Sequence, residues 1–476
     1  MKGRCNELPE ELWESILDRL VLDDDYEDLK SPSLVCKQFL SITNRLRRKF
    51  VADDNLLCAN SNWCDVLCRA LERFRNLKEI RLCTQWTLLD VNSPILKLAN
   101  SGLDVQSLCF HSFTISPSAA SFRRLGCTMT NLKVLRCTRF ASLRDPDLVY
   151  IADVSPRLEE LDIQYPRKKY APPEVRYPEL SNDRVTDAGI EAISHKLQRL
   201  RRINISGIEG CSDHSLVALS SNCKNLNEIK CCHSGVTSQG ICWLLCHSTN
   251  LTSLHKDFYG SSTNSSFTFD NLKISAIGLR ELTIQGSMVH QEGLVRSLAK
   301  AVVLLEKLKL SPPSYVTEVM TILRACPTLK HFTLSAKRCI NDNQMSEICR
   351  CLPNIVSIDL SYYDFTPAIF SVFAKECPAL SEITLRFGSL RPIQDDFVMN
   401  LERNYRVRYL DLSDTWHLND KLLKDIVVDC PNLHTPKVGG RALIPKEGVE
   451  EILKCCPQIK QWRFRPDSSR KSMKSP

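Results

Sequence analysis

The side chains best suited to chemistry in this chain are its cysteines, 23 thiols among 476 residues. Such thiols can ligate metal, pair as disulfides or act as nucleophiles. The densest groups are Cys58, Cys64 and Cys68, then Cys231-Cys232-His233, then Cys349 with Cys351. Cys64 and Cys68 share a helix face, but no group has the paired Cys-x-x-Cys spacing of a structural zinc site. Core packing is therefore expected of them and no metal is assigned. An odd total, with no apolar export core in MKGRCNELPEELWES, fits reduced thiols better than a disulfide framework. His111, His247 and His255 have serines or cysteines nearby in sequence, yet no nucleophile-elbow or papain-like signature surrounds them. The 16 glycines build no phosphate-cradling loop. An enzyme is not expected.

Composition narrows the remaining classes. A net charge of +8, spread over 63 basic and 55 acidic residues, is too diffuse to imply nucleic acid. No apolar run approaches the roughly 18 residues a membrane span needs. A cytoplasmic or nuclear protein is expected.

The elements that position these side chains are set by a repeat. Leu-x-x-Leu-x-Leu patterns begin at Leu77, Leu158, Leu200, Leu226, Leu279, Leu305, Leu329, Ile355, Leu380 and Val407. Weaker copies begin at Val105, Leu132, Leu251, Leu433 and Ile459. Successive anchors lie 24 to 28 residues apart, except for one step of 42 between Leu158 and Leu200. That surplus is a Pro- and Tyr-rich insertion at 164–183. Amphipathic helical stretches precede the patterns, as at 187–200, 342–355, 366–380 and 446–459. Cys-Pro or Leu-Pro pairs at Pro327, Pro353, Pro378, Pro431 and Pro457 mark the switch from helix to strand. The period is that of leucine-rich repeats. It predicts an α/β solenoid, a horseshoe of about fifteen repeats over 74–464 with parallel strands on its concave face and helices outside. The unit resembles the cysteine-containing class of these repeats, in which the cysteine is a small buried hydrophobe.

Alternation along each strand puts the residues between anchors on the concave face. These are Arg81, Arg136, Glu160, Asp162, Arg202, Lys230, Lys307, Lys309, His331, Asp359, Glu382, Tyr409, Asp411 and Arg463. Their mixed charge suits a protein or peptide target. The insertion and the loop 259–267 are secondary candidates. The basic tail 465–476 is expected to be disordered, with nuclear import a lesser reading.

Residues 1–50 depart from the repeat. LPEELWESILDRL has an acidic first turn and apolar residues at helical spacing, and a second amphipathic stretch runs through Leu34, Val35, Phe39, Ile42 and Leu46. The block Leu8-Pro9-x-Glu11-Leu12, followed by Leu34-Val35-Cys36-Lys37-x-Phe39, resembles the F-box. Val21 stands where a proline often follows the first helix, and DDDYED lengthens the connection. The resemblance implies that Leu8, Pro9, Ile16, Leu17, Leu20, Leu34, Val35, Cys36 and Lys37 contact a Skp-type adaptor and, through it, a cullin. Cys36 is then a packed residue, not a transthiolation nucleophile. Residues 51–73 read as a helical linker or cap for the solenoid.

F-box followed by such repeats most resembles plant F-box/leucine-rich-repeat proteins. That implies the substrate-receiving subunit of an SCF-type ubiquitin ligase, which binds an unidentified target for ubiquitination and proteasomal degradation. Some relatives are receptors for a hormone-like small ligand and hold an inositol phosphate among basic residues. Arg81, Arg136, Arg202 and Lys230 form a smaller cluster here, for which ordinary solvated charge is the preferred reading. A repeat scaffold without ligase recruitment is the third alternative.

Overall fold

In a computed structural model of the chain, the described residues are 8–21, 27–53, 63–83, 92–111, 118–140, 143–164, 185–258, 273–286, 292–311, 316–335, 340–390, 403–439, 444, 446–459 and 463–465. They fall into two compact units, Met1–Val236 and Thr237–Pro476. The insertion beyond Gln164, the loop 259–267 and the tail 466–476 lie outside the described residues.

The first unit opens with a helical module: α1 (Glu10–Asp18), α2 (Lys30–Ser33) and α3 (Lys37–Leu46). Leu17, Leu29, Phe39, Ile42 and Leu46 are its core, with Trp13 edge-on to Phe39 at 4.8 Å. Burying such side chains contributes roughly 1.5–3 kcal/mol each. Arg45 of α3 pairs with Glu10 and Glu14 of α1 and fastens the two helices together. The Cys36 sulfur accepts a hydrogen bond from the Phe39 N–H at 3.4 Å and so caps α3. This thiol has a packing and capping role.

Strands and helices then alternate. They are β1 (Lys49–Asp53), α4 (Trp63–Arg73), β2 (Glu79–Cys83), α5 (Asn92–Asn100), β3 (Ser107–His111) and α6 (Ala119–Thr128). They continue as β4 (Val134–Thr138), α7 (Asp145–Val154), β5 (Glu160–Asp162), α8 (Asp187–Lys196), β6 (Arg202–Asn204), α9 (Asp213–Asn222) and β7 (Glu228–Lys230). β1 to β7 pair in chain order, all parallel. Residues Ile80, Leu108, Leu135, Leu161, Ile203 and Ile229 lie in one register row and are at most 2 % exposed.

The structure moves one boundary. The strand ladder begins at Lys49, because β1 pairs with β2 from Lys49↔Glu79 to Asp53↔Cys83. The boundary at 50 thus falls inside a strand, and β1 with α4 stands at the end of the ladder, where the cap is expected. Lys-Phe-Val-Ala-Asp covers the outer edge of β2 and among its described side chains buries only Ala52, so it lacks the repeat's three apolar anchors.

The second unit repeats the plan with α10 (Ser238–His247), β8 (Ser253–Phe258), β9 (Glu281–Gly286), α11 (Glu292–Ala301), β10 (Lys307–Ser311) and α12 (Val316–Arg324). Next come β11 (His331–Leu334), α13 (Asp342–Arg350), β12 (Ser357–Asp359), β13 (Asp364–Phe365), α14 (Ile369–Glu376), β14 (Glu382–Thr384) and β15 (Ser389–Leu390). The unit ends with β16 (Tyr409–Asp411), α15 (Asp420–Val428), β17 (Thr435–Gly439), α16 (Lys446–Cys455) and β18 (Arg463–Arg465). Its long strands form a parallel ladder, while β13 and β15 pair separately beside it. Each unit is thus a leucine-rich-repeat α/β solenoid, as the period requires.

Two devices recur in the repeats. Seven residues after the anchor the chain turns left-handed, with φ between 54° and 87° at Arg139, Gly207, His233, Gly286, Tyr362, Phe387 and Asp414. The other device is the buried thiol between helix and strand. Cys223, Cys326, Cys377 and Cys430 are at most 2 % exposed, and the Cys326 S–H donates to the Ile322 carbonyl at 3.1 Å. Burial pushes Cys223 up to about 11 and Cys326 and Cys430 up to about 12. Burial and a raised thiol value suit a packed spacer between helix and strand. Among the described residues no three His, Cys, Asp or Glu side chains are grouped to hold a metal ion. No described helix is long and apolar enough to cross a membrane.

Candidate functional site

The helical module carries two apolar faces on one helix. Trp13 and Leu17 of α1 turn inward. Leu8, Leu12, Ile16 and Leu20, spaced four residues apart, form a stripe turned outward, at 39 %, 50 %, 44 % and 40 % exposure. Leu34 and Val35, between α2 and α3, stand out further at 87 % and 62 %. A helix apolar on both sides has one face for its own core and one for something else. Of the expected adaptor contacts, Leu8, Pro9, Ile16, Leu20, Leu34, Val35 and Lys37 are exposed, and Cys36 is half-buried as the α3 cap. Leu17 corrects the expectation: at 4 % exposure it packs in the module's own core. Leu12 joins the stripe in its place.

The second site lies on the strand face of the first unit. Strand pairing aligns Val134, Glu160, Arg202 and Glu228 in one row and Arg136, Asp162, Asn204 and Lys230 in the next. These two rows, without Val134, line a cavity of about 290 Å³ whose floor is Leu161 and Ile203. Arg136 donates to one oxygen of Glu160 at 2.5 Å, and Arg202 to the other at 2.7 Å. Lys230 pairs with Glu228 at 3.0 Å, and Arg81 with Glu79. Each member of the supposed basic cluster therefore has a carboxylate neighbour.

The two acids at the centre are in opposite situations. Burial pushes the Glu160 carboxyl up, but hydrogen bonds from Arg136 and Arg202 outweigh it and hold it below the ordinary glutamate value. At Asp162 burial wins and raises the carboxyl, although the Gln164 N–H donates to it at 3.0 Å and the Asn204 amide at 3.2 Å. Neutral donors compensate a desolvated charge less than a guanidinium does. Asn204 and Glu228 were not singled out from the sequence. Both outward positions are named on β5, β10 and β16 but only one each on β6 and β7; reading both there finds them.

In the second unit two of the expected strand-face residues meet, Asp359 and Asp411 on either side of Arg386 at 4.0 Å and 3.9 Å. Lys307, Lys309, His331 and Glu382 are exposed and Asp359 half-buried, while the side chain of Arg463 lies outside the described residues. Asp411 is 2 % exposed and accepts from the Ser413 N–H at 3.0 Å and the Tyr409 hydroxyl at 3.2 Å, with Lys437 also at 3.2 Å. It is a structural hub and not a free recognition charge, and Tyr409 is one of its supports. The histidines are likewise spent locally. His111 Nδ1 lies 2.6 Å from the Thr138 hydroxyl, His247 stacks on Trp243 at 4.0 Å, and His255 Nε2 lies 3.1 Å from the Ser253 hydroxyl. The last contact joins residues two apart on one strand, which alternation places side by side.

No family model matches the chain. Among solved structures it is similar to that titled the Rad7 and Elc1 complex in yeast, at 15 % identity and a TM-score of 0.45, covering 93 % of this chain and 95 % of the other. It is also similar to that of a TLR13–ssRNA13 complex, at 14 % identity and a TM-score of 0.41, covering 84 % of this chain and 65 % of the other. At these overlaps neither likeness bears on ligand or partner.

Proposed function

We propose that the chain is the substrate-receiving subunit of an SCF-type ubiquitin ligase. In this reading the outward stripe of the helical module docks to a Skp-type adaptor, which connects to a cullin, and the repeats hold a target protein. The observation that supports it is the exposed set Leu8, Leu12, Ile16, Leu20, Leu34 and Val35, gathered on a module whose own core is already complete. Exposed apolar side chains in a contiguous stripe are costly to leave in water and stabilise a complex when covered. The block that resembles the F-box supplies the same residues.

The chain's contribution to the reaction is then proximity. Holding a target beside a separately recruited conjugating enzyme raises the effective concentration of its lysines, and no reacting group of this chain is needed.

Co-purification of the full chain with a Skp-type adaptor tests the reading. Ile16→Asp and Leu34→Asp alter the outward stripe and leave the module core untouched, so they are expected to abolish co-purification with folding retained. Adaptor binding unchanged by both substitutions would favour a repeat scaffold that recruits no ligase.

A further inference from the structure

The cavity on the strand face of the first unit is dipolar, and that decides what it can hold. On its β4–β5 side, Arg136, Glu160 and Asp162 leave one excess negative charge. On its β6–β7 side, Arg202, Glu228 and Lys230 leave one excess positive charge. The neutral amide of Asn204 lies between the two, and Asp162 and Lys230 flank it in register, two interstrand spacings or roughly 10 Å apart. We propose that this cavity reads a pair of opposite charges on a target segment, the cation against Asp162 and the anion against Lys230 and Arg202.

Three observations converge on that occupant. Asp162 is half-buried and its hydrogen bonds come from neutral donors, while Arg136, its register neighbour on β4, acts on it through space and spends its own hydrogen bond on Glu160. An incoming ammonium or guanidinium would give this carboxylate a direct charged hydrogen bond. Arg202 meets Glu160 through Nε and one terminal nitrogen while its side chain stays 46 % exposed, and Lys230 is 41 % exposed, so donors remain for an incoming carboxylate. The volume of about 290 Å³ lies at the lower end of small-molecule sites, and suits the ends of two side chains better than a cofactor. A polyanion would meet three carboxylates. A dicationic segment would meet three basic groups.

The proposal names the target chemistry of the receptor role above and rests on it, but its test does not pass through the adaptor. A peptide array in an alanine–serine background, carrying two charged residues at every spacing within a hexapeptide, is probed with the full chain. Peptides with one Lys or Arg and one Asp or Glu are expected to bind best, at least tenfold above diacidic and dibasic ones. Asp162→Asn leaves a net positive cavity and is expected to shift the preference to diacidic peptides. Lys230→Gln is expected to shift it to dibasic ones. These are gains, so misfolding cannot imitate them. Diacidic peptides preferred by the unaltered chain, no dependence on charge pattern, or no shift in either variant would overturn the proposal. Adaptor binding would stand in each case.

Discussion

Glu160 and Asp162 sit two residues apart on one strand, and substituting them should affect stability differently. Glu160 has a depressed folded value, so it contributes stability above the ordinary carboxylate range and loses it as pH falls through that value. Glu160→Gln leaves Arg136 and Arg202 facing a neutral amide and should cost about 1–3 kcal/mol at pH 7. In urea unfolding, its difference from the unaltered chain should shrink as pH falls below that range. Asp162 has a raised folded value, so its carboxylate weakens the fold at pH 7 and that penalty fades on acidification. Asp162→Asn should therefore be neutral or stabilising at pH 7, as expected where a charge is kept for binding and not for stability. Equal destabilisation by both changes would contradict the electrostatic account. The cysteines make a second residue-scale prediction. Iodoacetamide at pH 7.5 should label Cys127 and Cys455, both exposed, and spare Cys223, Cys326, Cys377 and Cys430 until the chain unfolds. Peptide mass spectrometry reads this directly. Rapid alkylation of these four thiols in the native chain would show that they are not packed spacers.

Between elements, a relay of caps holds successive helices in step. Asp145, the first residue of α7, accepts from the backbone N–H and hydroxyl of Thr186, the N-cap of α8. Asp187, the first residue of α8, does the same for Ser212 at the start of α9 and also takes both donors of Ser215. Asn92 of α5 serves Ser118 and Ser121 of α6, and Asp342 of α13 serves Thr366 ahead of α14. Each carboxylate or amide joins two repeats and lies at the positive end of its own helix. Gly189 is what lets Asp145 approach, since a Cβ there would stand 2.1 Å from its Oδ1. Asp187→Ala should cost about 1–2 kcal/mol, and Gly189→Ala should also destabilise, both read as lower urea midpoints with an unchanged slope. This relay was not legible in the sequence because its partners lie 24 to 41 residues apart and are ordinary polar types. The left-handed turn was hidden for a related reason. Glycine marks it at Gly207 and Gly286, but Tyr362 and Phe387 occupy the same place and stack with centroids 5.1 Å apart, which helps offset the strain. What could be read was the apolar period, because burial imposes it on every repeat. β1 escaped that reading as the edge strand, which buries little.

For the whole molecule, the division of labour lies between a helical module that presents an apolar face and repeats that present charged ones. Of the residues the F-box resemblance implies as contacts, all but Leu17 and Cys36 are exposed on this module. Leu17 is misassigned because residues 16 and 17 both fit a helical apolar pattern, and only the packed α1–α3 pair separates the inner stripe from the outer. That separation gives a sharp contrast. Leu17→Asp should unfold the module, whereas Ile16→Asp should leave it folded, as far-ultraviolet circular dichroism and limited proteolysis would show. The most direct measurement of the central claim is hydrogen–deuterium exchange on the full chain with and without a Skp-type adaptor. Protection is predicted across residues 8–20 and 31–46, around the outward stripe, with the strand faces of the repeats unchanged. Absence of protection there, or protection confined to the repeats, would contradict the assignment of this face to the adaptor.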